Sequence, residues 1–195
     1  MKKKFIFLVI LLIFALAILS ACDKSSSTLE EITKLIKADY SEVKLSIKTV
    51  SSEVKLTGNY VFKFDGDTTT VTYSVEKLNE LTMEGGTEGY KHTDSGTVVV
   101  RKDKLVEGDE ELDLPLGNYF GGMSFKSEYF KNYEITGGKF EANVVNPQGF
   151  TGNKNLQCSD MHVKILFDAN CLSQLVLTYV AQNGSDVSIT YTFTK

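Results

Sequence analysis

The chain has 195 residues, of which 21 are Lys or Arg and 25 are Asp or Glu, so its formal net charge is −4. A net acidic chain disfavours nucleic-acid binding, for which a basic surface stripe is the usual footprint. It also disfavours attachment to anionic lipid headgroups by charge alone. The length suits one domain with a substantial core and is short for two.

The first 22 residues have the layout of a secretory signal peptide. Lys2, Lys3 and Lys4 precede an uninterrupted apolar run over residues 5–18, and Leu19-Ser20-Ala21-Cys22 follows. The alternative is an uncleaved membrane span. A span needs about 20 apolar residues, with a lower limit of about 17, and this run falls short of that limit unless it includes residues 19–21. The signal-peptide interpretation is therefore favoured, with a cysteine as the first residue of the mature chain.

The tetrapeptide Leu19-Ser20-Ala21-Cys22 resembles the lipobox of bacterial lipoproteins. The resemblance implies that the Cys22 thiol carries a diacylglycerol and that a lipoprotein signal peptidase cuts the chain before it. It divides the chain into a signal peptide (residues 1–21), a lipidated cysteine with a tether (residues 22–27) and one domain (residues 28–195). Since two acyl chains anchor a protein durably, the implied location is extracytoplasmic and lipid-anchored to the cell membrane.

A polar start followed by an apolar stripe predicts an N-terminal helix. Ser27 or Thr28 can cap it, and Glu30 or Glu31 three positions on completes a capping box. The helix should run to about Ala38 and bury one face. The apolar residues that recur at helical spacing on this face are Leu29, Ile32, Leu35 and Ile36.

Apolar and polar residues alternate with a period of two at both ends of the domain, which predicts half-buried strands. Near the N-terminus these strands cover residues 40–50, 54–64 and 68–78, with an Asp-Gly hairpin loop at residues 65–67. Near the C-terminus a three-stranded meander covers residues 161–167, 172–182 and 187–194. A one-residue slip in its last strand would expose Tyr191 and Phe193, so we expect both rings in the core.

The middle of the chain gives weaker signals. Residues 79–95 have no period and are expected to form a loop or ragged edge. Residues 96–106 are expected to form a strand, followed by an acidic turn at residues 107–111. A short helix is expected near residues 124–130. A strand over residues 133–145 and a loop at residues 146–149 complete the prediction.

One helix followed by about eight to ten antiparallel strands predicts an α+β domain. We expect the N-terminal helix to pack on a curved, mainly antiparallel sheet with the shape of a half-barrel. This order is similar to the unclosed barrel of Lol-type lipoprotein carriers, which also begin with a helix and continue with long hairpins. The likeness covers the architecture of most of residues 28–195, and no individual binding residue can be matched.

Residue types that carry out catalysis or bind metals are few. The run from His92 to Ser95 is expected to be a solvated turn, because catalytic triads are assembled from separated segments. His162 is expected on the outer sheet face. The acidic residues 107–113 lack the spacing of a calcium loop, and the glycines in residues 117–122 do not form a phosphate loop. We therefore expect no enzyme, no metal and no cofactor.

Two thiols besides Cys22 are present, and export would allow Cys158 and Cys171 to form a disulfide. The predicted strand between them would hold their Cα atoms farther apart than the limit of about 7 Å for a bridge. Unpaired thiols are favoured, and pairing stays open.

Aromatic residues are dense between Tyr119 and Tyr133. Their ordinary role is core packing, because aromatic side chains dominate protein cores. The alternative is an apolar groove between helix and sheet that binds an apolar or lipid ligand. Its predicted lining is Tyr60, Phe62, Phe64, Tyr119, Phe120, Phe125 and Phe130.

Two functions follow. The first is a non-catalytic, membrane-anchored lipoprotein that binds such a ligand. The second is an envelope structural or protein-interaction module with a filled core.

Overall fold

The computed structural model of the chain describes residues 28–83, 86–101 and 122–195. The predicted signal peptide, Cys22 and the tether lie outside these residues, as do the acidic stretch 107–113 and the glycines of residues 117–121. A helix, α1, spans residues 28–36. The described strands are β1 (Glu42–Val50), β2 (Val54–Asp65), β3 (Thr68–Met83), β4 (Gly86–Arg101), β5 (Phe130–Thr136), β6 (Lys139–Val144), β7 (Cys158–Phe167), β8 (Leu172–Ala181) and β9 (Asp186–Thr194).

These nine strands form a single open sheet in the order β4-β3-β2-β1-β9-β8-β7-β6-β5. Every neighbouring pair is antiparallel. The sheet consists of two meanders, β1 to β4 and β5 to β9, which meet where β1 pairs with β9. This central pairing runs in unbroken register from Glu42 opposite Thr194 to Val50 opposite Asp186. The prediction of a mainly antiparallel sheet is confirmed, and the sheet dominates the described fold.

The core lies on one face of the sheet. In β9 the buried side chains alternate with partly or fully exposed ones, and the rings of Tyr191 and Phe193 are 0% and 7% exposed. This is the register predicted from the alternation, because a slip of one residue would exchange the two faces. The apolar stripe of α1 is buried in the same core, and its residues are Leu29, Ile32, Leu35 and Ile36.

Side-chain hydroxyls join α1 to the rest of the domain. The Tyr40 hydroxyl donates to the carbonyl of Leu35 at 2.8 Å and accepts from the backbone N–H of Leu172 at 3.0 Å. The Thr33 hydroxyl accepts from the backbone N–H of Phe125 at 3.2 Å. The Tyr40–Leu172 and Thr33–Phe125 contacts link residues far apart in sequence, so they fix the position of the helix relative to β8 and to the segment before β5.

The prediction of a loop over residues 79–95 is wrong. Strands β3 and β4 pair along their whole length, from Thr68 opposite Arg101 to Met83 opposite Gly86. Strand β2 ends its pairing with β3 at Asn79, so the far end of the hairpin is a two-stranded ribbon. Backbone hydrogen bonds between two strands require no buried face, so this ribbon forms without the apolar alternation that marks a strand in sequence.

The predicted single strand over residues 133–145 is instead a hairpin of β5 and β6. The chain turns at Gly137 and Gly138, whose φ angles are +56° and +79°. Glycine is favoured at such left-handed positions because it has no Cβ. Strand β5 begins at Phe130, and the helix predicted near residues 124–130 is one 3-10 turn at Ser127–Tyr129.

The predicted loop at residues 146–149 is the start of a short helix, α2 (Pro147–Thr151). The Asn146 side chain accepts a hydrogen bond from the backbone N–H of Gly149 at 2.9 Å, which caps the first turn. Proline is tolerated there because the first N–H groups of a helix have no partner within it. The helix ends at Gly152, in the left-handed conformation, and places Phe150 in the core.

Candidate functional site

The structure divides the predicted groove residues into two groups. Phe125 and Phe130 lie in one aromatic cluster with ring centroids 5.7 Å apart. Tyr60 and Phe62 lie together on β2, with centroids 6.3 Å apart, and Phe64 follows on the same strand. Strands β2 and β5 are six positions apart in the sheet. Tyr119 and Phe120, predicted for the same groove, lie outside the described residues.

The first group is a packed cluster. Phe125 and Phe130 are 4% and 7% exposed, and both contact Phe140 and Phe150, which are fully buried. The Phe125–Phe150 and Phe130–Phe140 ring pairs are edge-to-face at 5.1 and 5.2 Å, a favourable arrangement for aromatic rings. Phe150 is not part of the predicted groove lining, because the sequence predicts a loop at residues 146–149. The four rings fill this end of the core.

In the second group only Tyr60 borders a half-exposed surface, because Phe62 is fully buried. Pairing places Leu45, Tyr60, Tyr73 and Gly96 in one row across the core face of β1 to β4. The centroids of the Tyr60 and Tyr73 rings are 6.4 Å apart. Both rings are half-buried, whereas Leu45 is 2% exposed. Along this row the core face therefore changes from fully buried at Leu45 to half-buried at Tyr60 and Tyr73.

Two glycines allow the tyrosine rings to lie flat on the sheet. A Cβ at Gly58 would be 2.9 Å from the Tyr60 ring, and a Cβ at Gly96 would be 2.8 Å from the Tyr73 hydroxyl oxygen. A glycine inside a strand weakens the strand because it has no side chain to pack. An aromatic side chain that covers the glycine compensates for this loss. The absence of a Cβ at Gly58 and Gly96 therefore leaves room for the two rings to lie against the sheet.

The buried Gly58 and four half-buried residues extend this surface towards the β1–β2 turn. Ile47, Gly58 and Val75 form the next row, and Thr49 and Leu56 the row after it. We call the apolar side chains of this surface the tyrosine strip, which comprises Ile47, Leu56, Tyr60, Tyr73 and Val75.

The tyrosine strip ends in polar residues on the same face. Asp94 pairs with Val75, and His92 pairs with Lys77; all three polar side chains are exposed. An apolar surface with a few polar groups at its margin is the usual composition of a small-molecule site.

The run from His92 to Ser95 lies within β4 and is not the solvated turn predicted for it. Successive side chains of a strand point to opposite faces, so His92 and Asp94 lie on one face and Thr93 and Ser95 on the other. This geometry separates the histidine from both hydroxyls. The run therefore does not form a catalytic triad.

His162 lies on the outer face, as predicted, and its Nε2 is 3.4 Å from the Glu141 carboxylate. Lys139 also pairs with Glu141; this hydrogen bond lowers the pKa of Glu141 and raises the pKa of Lys139. All three side chains are substantially exposed. In the described part of the chain no group of three or more His, Cys, Asp or Glu residues could hold a metal ion.

Cys158 and Cys171 are both free thiols. Burial raises the pKa of each, and the Asp168 carboxylate, with both oxygens 3.6 Å from the Cys171 Sγ, raises the pKa of Cys171 further. A raised pKa lowers the fraction of thiolate, which is the nucleophilic form. Neither position favours a reactive cysteine.

Comparison with known proteins found no matching family model and no matching curated protein. None of the helices within residues 28–83, 86–101 and 122–195 is long and apolar enough to span a membrane.

Proposed function

We propose that this protein is a bacterial lipoprotein, extracytoplasmic and anchored to the cell membrane through acyl chains on Cys22. The proposal is supported by the order of lysines, apolar run and Leu19-Ser20-Ala21-Cys22 at the start of the sequence. The two chains of a diacylglycerol thioether suffice for a durable anchor.

The anchor is tested with the Cys22→Ser variant in a bacterial host. The variant should lose palmitate labelling and leave the membrane fraction, because it has no thiol to acylate. Cys158→Ser, which alters another thiol of the same chain, should keep both labelling and membrane attachment. Labelling of Cys22→Ser at the wild-type level would refute the anchor.

We further propose that the domain is an α+β half-barrel. The support is an open nine-stranded sheet with the apolar stripe of α1 buried in its core. Strand twist accumulates across a sheet of this width and curves it, so that a helix on one face lies in the concavity.

Within this half-barrel the tyrosine strip binds an apolar or lipid molecule, and the protein is a non-catalytic binder. The observation that carries this proposal is the change in burial along the core face: the strip side chains are half-exposed, whereas Leu45 and Ile189 beside them are each 2% exposed. The rings of Tyr60 and Tyr73 offer a broad apolar contact, and the exposed Lys77 and Asp94 offer polar contacts for a headgroup.

Native mass spectrometry of the full chain, extracted from membranes in a mild detergent, tests ligand binding. The wild type should carry a non-covalent apolar adduct. Tyr60→Ser combined with Tyr73→Ser should lose it, since the variant removes both rings of the strip. Tyr129→Ser alters a half-buried tyrosine outside the strip and should keep the adduct. A wild type without an adduct, or an adduct unaffected by the double change, would contradict the proposal.

The second candidate function is an envelope structural or protein-interaction module. It is favoured by the packing of Phe125, Phe130, Phe140 and Phe150, which fills one end of the core. For such a module, chemical cross-linking in intact cells should join the protein to one envelope partner, and the purified chain should carry no adduct.

A further inference from the structure

A surface cavity of about 420 Å³, largely open to solvent, lies at the end of the sheet where β1, β9, β8 and β7 run side by side. Pairing places Lys48, Ser188 and Thr178 in one row on the outer face, and Val50, Asp186 and Val180 in the next row. The core-facing neighbours Tyr179 and Val187 are each 8% exposed. The cavity therefore opens on the face opposite the tyrosine strip. We call it the outer cavity.

A β-bulge brings an aspartate to the outer cavity. The pairing of β7 with β8 shifts between Ser159 and His162, so that one extra residue is inserted in β7. Met161 is buried in the core, and Asp160 takes a left-handed conformation with φ of 53°. Bulges are over-represented beside functional sites because the extra residue redirects a side chain. Here the redirected side chain is Asp160, which lines the cavity.

Lys48 and Asp160 lie at the two ends of the outer cavity and carry opposite charges. Lys48 on β1 and Asp160 on β7 are three strands apart, about 14 Å at the usual strand spacing. Asp186 lies between them on β9. Within the described part of the chain, no ion pair joins Lys48 to either aspartate. The hydroxyls of Ser188 and Thr178 occupy the row between the two ends.

The geometry points to a binding site for a zwitterionic dipeptide, whose ammonium and carboxylate groups are separated by a peptide unit and so suit two charged contacts on different strands. Its carboxylate binds Lys48 at one end of the cavity, and its ammonium group binds Asp160 at the other. Its side chain lies against Val50, which is 44% exposed, and Val180. The cavity volume falls in the range typical of small-molecule sites. This site is independent of the ligand proposed for the tyrosine strip, because it is on the other face.

Binding is tested with the isotope-labelled full chain in detergent micelles and L-valyl-L-valine as the probe. Saturable NMR shifts should appear at backbone amides of β1, β7 and β9 around the cavity. Lys48→Met and Asp160→Asn should each raise the Kd at least tenfold, because each removes one charged contact. Lys63→Met alters an exposed lysine on β2 away from the cavity and should leave the Kd unchanged.

Capped dipeptides assign each contact. N-acetylation of the probe should weaken binding to the wild type at least tenfold and have little further effect on Asp160→Asn. C-terminal amidation of the probe should weaken binding to the wild type at least tenfold and have little further effect on binding to Lys48→Met. Capped and free dipeptides that bind equally, shifts confined to other strands, or no saturable shift at millimolar dipeptide would each overturn the proposal.

Discussion

The hydroxyl of Tyr40 lies between two backbone groups and accepts the N–H of Leu172 at 3.0 Å. It donates at the same time to the carbonyl of Leu35. One phenol thus joins the end of α1 to the first residue of β8. Burial is the main cause that raises the pKa of Tyr40, so the hydroxyl stays protonated and able to donate.

Replacing this hydroxyl should destabilise the domain. Tyr40→Phe leaves the buried N–H of Leu172 and the carbonyl of Leu35 without this partner, which costs about 1–3 kcal/mol. Urea unfolding followed by circular dichroism measures the loss. Tyr129→Phe, a half-buried tyrosine beside Lys126, is the control and should change stability by less than about 0.5 kcal/mol. Equal stability of the two variants would contradict the bridging role.

The two turn glycines of the β5–β6 hairpin should differ in their tolerance of alanine. Gly137→Ala adds a methyl group in open space. It should lower the free energy of unfolding by about 1–2 kcal/mol, the cost of placing alanine in a left-handed conformation. At Gly138 the Cβ would collide with the backbone carbonyl oxygen of Phe167, so Gly138→Ala should cost about 1–3 kcal/mol more. Urea midpoints of the two variants give the comparison, and a smaller loss for Gly138→Ala would be inconsistent with this turn.

The rings of β9 should account for a large share of the stability. Tyr191→Ala and Phe193→Ala should each cost about 3–5 kcal/mol, because both rings are buried. Thr192→Ala, the exposed residue between them, should change stability by less than about 0.5 kcal/mol. Melting temperatures that fall for Thr192→Ala but not for its neighbours would indicate the opposite register.

The turn before β8 should be sensitive to acid. The Asp168 carboxylate accepts the backbone N–H groups of Asn170 and Cys171 at 2.7 and 2.9 Å, and these hydrogen bonds lower its pKa. A carboxyl whose pKa is lower in the folded state stabilises the fold above its unfolded pKa. That contribution is lost as the pH falls through the lowered folded pKa.

Asp168→Ala should therefore be less stable than the wild type at pH 7, and the difference should shrink as the pH falls towards 3. Urea unfolding across this range measures it. Asp168→Asn keeps an acceptor oxygen without the titrating group, so its stability should lack the acid-dependent loss that this carboxyl causes. A gap between wild type and Asp168→Ala that is constant with pH would refute this role.

Much of the fold could be predicted where one face of an element is buried. The stripe of α1 and the alternation in β1, β7 and β9 are direct consequences of burial on one side, so the sequence shows them. The β3–β4 ribbon could not be predicted, because its pairing beyond Asn79 needs no buried face. Helix α2 was missed because it is only five residues long and depends on the Asn146 cap.

The candidate site could be predicted only in part. Tyr60 was selected as an aromatic residue of the alternating strand 54–64, and it borders the half-exposed part of the core face, whereas Phe62 of the same strand is fully buried. The contact of Tyr73 with Gly96 depends on the register of the β3–β4 hairpin, which no local pattern gives. The position of Asp160 depends on one inserted residue in β7, which leaves the alternation from Met161 onwards unchanged.

The pairing of β1 with β9 has a consequence for biogenesis. A strand from the start of the domain and the last strand described in the chain are neighbours at the centre of the sheet. Contacts so distant in sequence slow folding, since a long loop must close before they form. If synthesis and export run from the N-terminus, the β1–β4 meander emerges first, and its β1 edge stays unpaired until β9 is available. Truncation before Asp186 would remove β9, the central strand that joins β1 to β8, and would separate the two meanders.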